Sequence, residues 1–268
     1  MSQRFRELLR SRWTETGNLL CVGLDPVPSL FPDGVRHNRA GLLEFCRSIV
    51  DATASSVCAF KPQIAHFSAI GAEEQLRTLI QHIHDRHPEV PVILDAKRGD
   101  IGATVRRYAE EAFVRYDADA VTVNPFMGWE SVQGFLEHEG KFVFVLCRTS
   151  NPDSKWLQLT GVDEPVFAKI ARRVQAEQSE NLGLVVGATA PQELQTVREL
   201  APETTLLVPG VGAQGGRIDD VLAARNRSGF GLVVNVSRSV LYASAGEDWA
   251  EAAAASARSL AARLSARR

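Results

Sequence analysis

Residues 91–104 read PVILDAKRGDIGAT. A short, unbroken apolar run that breaks off in charges fits a strand covered on both faces whose end opens into a polar loop. The residues from Thr104 onward take up helical spacing, so the stretch is one strand–loop–helix unit. The same unit recurs along the chain. Further apolar runs rich in β-formers lie at residues 19–24, 57–60, 120–123, 142–147, 183–186, 205–208 and 231–234, which with 91–94 makes eight. Helical patterns fall between them at 42–53, 73–86, 104–115, 131–137, 165–178, 191–200 and 217–225, and an Ala-rich helix at 248–267 closes the chain. Eight strands alternating with helices predict an α/β fold, a (β/α)8 TIM barrel. A doubly wound open sheet is the alternative, but no GxGxxG follows the first strand. No linker divides the sequence, so residues 1–268 read as one barrel domain with an N-terminal helix and the Ala-rich C-terminal helix.

The 268 residues are 45% hydrophobic and 23% charged with a formal net charge of −2. That balance suits a globular protein and excludes a disordered or collagen-like chain. It offers no basic field for nucleic acid or an anionic membrane, so neither is expected as a partner. The first residues, MSQRFRELLRSRWTETG, are charged and helical in pattern rather than a signal peptide, and no apolar run is long enough to span a bilayer. A cytoplasmic location is the expectation. Cys21, Cys46, Cys58 and Cys147 read as buried thiols of a reducing compartment, and His82, His84 and His87 as a charged helix end rather than a metal site.

In a barrel the residues after each strand gather on one face, where sites are built. Here they include Asp25 after strand 1, Lys61 at the end of strand 2, and Asp95, Lys97 and Asp100 after strand 3. Strand alternation points Asp95 and Lys97 the same way. An ammonium between carboxylates keeps its charge when desolvated, because opposite charges offset burial. A second constellation joins LVPGVGAQGG (207–216) to VVNVSRSV (233–240). Gly210, Gly212, Gly215 and Gly216 would let backbone amides approach an anion, with Gln214 and Arg238 adding side-chain contacts. Loops after strands 7 and 8 of such barrels frequently hold phosphate. Residues 148–164 lack clear periodicity and read as a lid in which Trp156 and Leu157 could fold onto a ligand.

VILDAKRGDIGAT, TVNPFMGWES, LCRTSNP, LVPGVGAQGG and NVSRSVLYAS, in this order, together with GLDP at 23–26 and AFKPQ at 59–63, resemble the orotidine 5′-phosphate decarboxylase family, type 2 bacterial branch. The resemblance implies decarboxylation of orotidine 5′-monophosphate to uridine 5′-monophosphate without cofactor or metal. It implies that Lys97 donates the proton to C6 of the pyrimidine and that Asp95 faces the substrate carboxylate. By the same resemblance, Lys61 and Asp100 would complete a Lys–Asp–Lys–Asp array, Asp25, Lys61 and Thr104 would contact ribose, Ser150 would contact the pyrimidine amide, and Gln214 and Arg238 would hold the phosphate. Asp100 and Thr104 are implied to come from a neighbouring subunit, hence a homodimer with shared sites. The chain differs from shorter members in a longer segment at 26–39 and a longer lid. A metal-dependent phosphosugar decarboxylase or aldolase of the same superfamily, and a non-catalytic phosphate-binding barrel, are the other readings of these motifs.

Overall fold

A computed structural model describes residues 4–212 and 215–265. Its eight strands are β1 (Leu20–Leu24), β2 (Ala59–Pro62), β3 (Ile93–Arg98), β4 (Ala120–Val123), β5 (Phe142–Arg148), β6 (Leu182–Val186), β7 (Thr205–Pro209) and β8 (Leu232–Val236). All are parallel to their neighbours, in the order β2-β1-β8-β7-β6-β5-β4-β3. Bridges pairing Phe60 with Val92 and Gln63 with Asp95 draw the two end strands together. The result is the expected (β/α)8 barrel. Strand interiors are apolar and fully buried, as continuous Val/Leu/Ile/Phe runs require.

The expected strands are all present, but β2 and β3 extend further than their apolar runs. Lys61 lies within β2, and Asp95 and Lys97 lie within β3 rather than after it. Hydropathy marks where a strand is greasy. The ladder continues through charged residues when those residues neutralise one another.

The helix Arg4–Thr16 lies at the N-terminal end of the barrel. Its Phe5 ring packs 4.8 Å from that of Phe142. Its Arg12 donates to the carbonyls of Ala54 and Val57. The helices Arg39–Thr53 and Trp249–Arg263 pack together on the outside. The former is capped by Asn38, whose side chain accepts the Gly41 N–H. The Ala-rich helix ends at Arg263, short of the expected 267, and residues 266–268 lie outside the described residues. The helix Gly102–Glu110 runs into a π-helical turn, Glu111–Arg115.

All four cysteines are free and buried. His82 and His87 both contact Asp51, and His84 contacts Asp119, so the histidines at that helix end are paired with carboxylates. Among the described residues no helix is long and apolar enough to cross a membrane.

Candidate active site

The C-terminal ends of the strands surround a cavity of about 430 Å³. Lys61, Asp95 and Lys97 form its charged wall. Lys61 Nζ donates to Asp95 Oδ2 at 2.8 Å, and Lys97 Nζ donates to Asp95 Oδ1 at 2.6 Å. Asp25 Oδ1 lies 3.9 Å from Lys61 Nζ, beyond hydrogen-bond reach, and has no hydrogen-bond partner. Burial alone would raise the Asp95 pKa, but the Lys61 and Lys97 ammonium groups overcome it and hold the carboxyl well below the usual range. Burial alone would lower the Lys61 pKa, yet Asp95 and Asp25 push it above the ordinary value. Lys61 and Asp95 are almost closed off, whereas the Lys97 side chain is 44% exposed, so Lys97 is the most open member of the array.

Asp95 and Lys97 do point the same way, but not by simple alternation. The β3–β4 register runs Leu94 to Val121 and then Arg98 to Val123, so three residues of β3 stand opposite Thr122 alone. Lys97 there has φ +48°, in the left-handed region that a lysine rarely adopts. This bulge turns the Lys97 side chain back over Asp95. Thr122, fully buried, fills the gap: its Oγ1 accepts the amide N–H of Ala96 and of Lys97, each at 3.0 Å, and donates to Asp95 Oδ1 at 2.9 Å. Sequence reasoning passed over Thr122, because a threonine in an apolar run looks like a strand former. Its signal was position, the one polar side chain in AVTV directly across from DAK.

Asp100 and Thr104 do not join the cavity in this chain. Asp100 accepts the N–H of Ile101 at 2.8 Å, and Thr104 is exposed on the helix Gly102–Glu110. Within one chain the array is therefore Lys61–Asp95–Lys97 with Asp25 beside it.

Ser150 lines the opposite side of the cavity. Thr189 donates to its carbonyl at 2.8 Å, and Gly187 allows the approach: a Cβ there would meet the Ser150 backbone at 2.7 Å. The expected lid is more ordered than its sequence suggests. It holds a 3-10 turn (Pro152–Ser154) and a helical turn (Lys155–Gln158). The Gln158 amide accepts the Thr149 N–H and donates to its hydroxyl, each at 2.9 Å, while buried Arg148 donates to the Thr149 carbonyl. This web of side chains around one backbone segment carries no hydrophobic period. Trp156 is 69% exposed and lines no part of the cavity.

At the far end, Gly210 and Arg238 line the cavity. Gly210, Gly212 and Gly215 have φ of +97°, +76° and +90°, so the glycine loop follows a path closed to other residues. The Gly212, Gly215 and Gly216 amides donate to carbonyls of the loop itself. These glycines shape the loop, and Gly212 and Gly216 face a separate depression beside Arg217. Gln214 lies outside the described residues. Asn235, Gln63 and His66, not singled out as ligands from sequence, also line the cavity.

Barrel and site together define a (β/α)8 protein whose mouth carries a fixed ammonium–carboxylate–ammonium array together with Gly210 and Arg238. The model of the orotidine 5′-phosphate decarboxylase / HUMPS family matches residues 18–255, and the chain belongs to that family. It is 54% identical over 257 residues to the orotidine 5′-phosphate decarboxylase of Azoarcus sp. (strain BH72), covering 94% of this chain and 95% of the relative. It is 52% identical over 271 residues to that of Verminephrobacter eiseniae (strain EF01-2), covering 98% and 99%. Among solved structures, Leishmania donovani OMP decarboxylase superposes with a TM-score of 0.84 at 36% identity, covering 98% of this chain and 97% of that one.

Proposed function

We propose that this protein removes CO2 from orotidine 5′-monophosphate to give uridine 5′-monophosphate, the last step of de novo pyrimidine nucleotide synthesis. The observation that carries this reading is the Lys61–Asp95–Lys97 array, with Asp95 held ionised and Lys97 its most open member. Loss of CO2 leaves the C6–carboxyl electron pair on the ring carbon. A preorganised ammonium stabilises that charge as it develops, at no cost of reorganisation. The Lys97 ammonium then delivers its proton to C6, and the neutral amine regains a proton from water. The Asp95 carboxylate stands beside the departing carboxylate and orients Lys97 from below. Two ammonium groups have no lone pairs to offer a metal, which favours this chemistry over the metal-dependent superfamily reaction.

The remaining cavity residues fit the rest of the nucleotide. Asp25 Oδ1, without a hydrogen-bond partner, suits a ribose hydroxyl. Ser150 suits the pyrimidine amide. Arg238 and Gly210, which line the same cavity, suit the phosphate, to which the family resemblance adds Gln214. We infer a homodimer in which Asp100 and Thr104 complete the partner's site. Asp100 sits on the loop after β3, which packs on the loop after β4, and the tips of these two loops expose Ile101, Phe126 and Met127. Exposed apolar side chains on the loops beside Asp100 support burial against a second copy.

The direct test adds orotidine 5′-monophosphate to the purified protein with and without a chelator and follows its ultraviolet absorbance and the uridine 5′-monophosphate formed. Stoichiometric conversion, unchanged by chelation, is expected. Binding without conversion would leave a phosphate-binding barrel, and conversion abolished by chelation would point to the metal-dependent class. For the dimer, Lys97→Ala and Asp100→Asn proteins should each be inactive and should regain activity when co-refolded, in proportion to the heterodimer formed. Confirmed heterodimers without recovery would mean that each site is built from one chain.

A further inference from the structure

We propose that Thr122 is a positioning residue for the Asp95–Lys97 pair, holding the carboxylate and the strained lysine backbone in register while Lys97 gives up its proton. This rests on the decarboxylase reading above and adds a residue outside the Lys–Asp set.

The direction of every hydrogen bond around Thr122 is forced. Backbone N–H groups only donate, so Oγ1 accepts from Ala96 and Lys97. An ionised carboxylate only accepts, so the single hydroxyl proton goes to Asp95 Oδ1. Oγ1 thus ties three consecutive residues of the bulge to one atom. Where β3 departs from the β4 ladder, Ala96 and Lys97 have no strand partner opposite them, and the threonine hydroxyl replaces it. A left-handed, non-glycine residue persists only where its surroundings hold it, and these two amides are the hold.

The arrangement matters most after proton transfer. Asp95 Oδ1 receives two donors, the Lys97 ammonium and the Thr122 hydroxyl, and Oδ2 receives Lys61. When Lys97 becomes neutral, its pull on Oδ1 weakens. Without Thr122 the carboxylate would be free to turn toward Lys61, and Lys97 would lose the partner that re-seats it. Thr122 touches the cavity but is 1% exposed, and its one hydroxyl proton is committed to Asp95, so it is expected to act on the chemical step more than on nucleotide affinity.

The test compares wild type, Thr122→Val and Thr122→Ser for kcat, KM, uridine 5′-monophosphate Kd and Tm. Valine keeps the shape and removes the hydroxyl. Small misplacements of a reacting group cost on the order of 10²-fold, and a drop of about 10–100-fold in kcat is expected for Thr122→Val. KM and product Kd should stay within about threefold, the pattern of an interaction felt in the transition state. Thr122→Ser restores donor and acceptor and should recover kcat to within about threefold of wild type. If Thr122→Val does not fold, Thr122→Cys, similar in volume with a weak S–H donor, should show a kcat loss of about tenfold or more. A wild type that converts orotidine 5′-monophosphate beside a Thr122→Val or Thr122→Cys protein with undiminished kcat would overturn this inference alone. So would a Thr122→Ser protein as slow as the valine variant with a wild-type Tm. A wild type that does not convert the nucleotide would overturn the decarboxylase reading and this inference with it.

Discussion

Each end of this barrel buries a carboxylate, and the two are neutralised by different means. At the N-terminal end Asp119 is 1% exposed. It accepts the Val92 amide and the His84 ring N–H, with Arg4 Nε 3.3 Å away. At the C-terminal end Asp95 is held by two lysines and a threonine. Both carboxyls have lowered pKa values, because hydrogen bonds or cations outweigh burial. Asp119 thus joins a backbone amide and a helix to the foot of the sheet. Asp95 serves side chains, one of which still faces an open cavity. The buried arginines follow the same division. Arg198 donates to five backbone carbonyls, among them those of Ala224, Thr204 and Gly231, and burial lowers its pKa to about 10. Arg238, at the other end, is exposed to the cavity. A charge buried among groups of the fold holds the fold, whereas a charge that borders a cavity can be lent to a ligand.

Two substitutions test that division. The larger effect is expected from Arg198→Met. It leaves several carbonyls at the foot of β7 and β8 without their donor, each such group costing about 1–3 kcal/mol when buried. A total loss of about 3 kcal/mol or more should lower Tm by roughly 6–12 °C, at about 2–4 °C per kcal/mol for a domain of this size. The kcat per folded molecule should not change. A wild-type Tm, or a lowered kcat in folded protein, would break the contrast between the two ends. The smaller effect is expected from Arg238→Ala, which should leave Tm within about 2 °C. It should lower kcat/KM for the nucleotide by roughly 10–150-fold, the loss of about 1.5–3 kcal/mol of charge-assisted contact. The nucleoside orotidine, which offers the guanidinium no phosphate, should be nearly indifferent to the change. Equal proportional losses on both substrates would place Arg238 with the fold.

Much of this was legible in the sequence. The eight apolar runs gave the barrel, because parallel strands buried on both faces leave a hydropathy trace of their own. DAKRGD together with FKP gave the charged array, because such residue types after buried strands have little structural reason to be there. What escaped was geometry that depends on pairing between strands. The bulge at Asp95–Lys97 depends on how β3 meets β4, and nothing in DAK alone announces φ +48° at a lysine. Thr122 acquires its role only from facing that bulge. The segment after β5 looked irregular because Arg148 and Gln158 organise it through hydrogen bonds to Thr149, which leave no period. Asp100 joins the array only through the family resemblance, which assigns it to a neighbouring subunit's site; in its own chain it accepts the Ile101 amide.

In the proposed reaction the Asp95-bound ammonium of Lys97 performs the chemistry while the rest of the mouth binds the nucleotide. The measurement that tests it most directly is single-turnover conversion of saturating orotidine 5′-monophosphate by Lys97→Ala, with uridine 5′-monophosphate affinity measured on the same sample. The expected rate is at least about 10³-fold below wild type, combining the loss of general acid catalysis with that of charge stabilisation, while product still binds. A variant that keeps more than about a tenth of the wild-type rate, a difference of only about 1.4 kcal/mol, would contradict it.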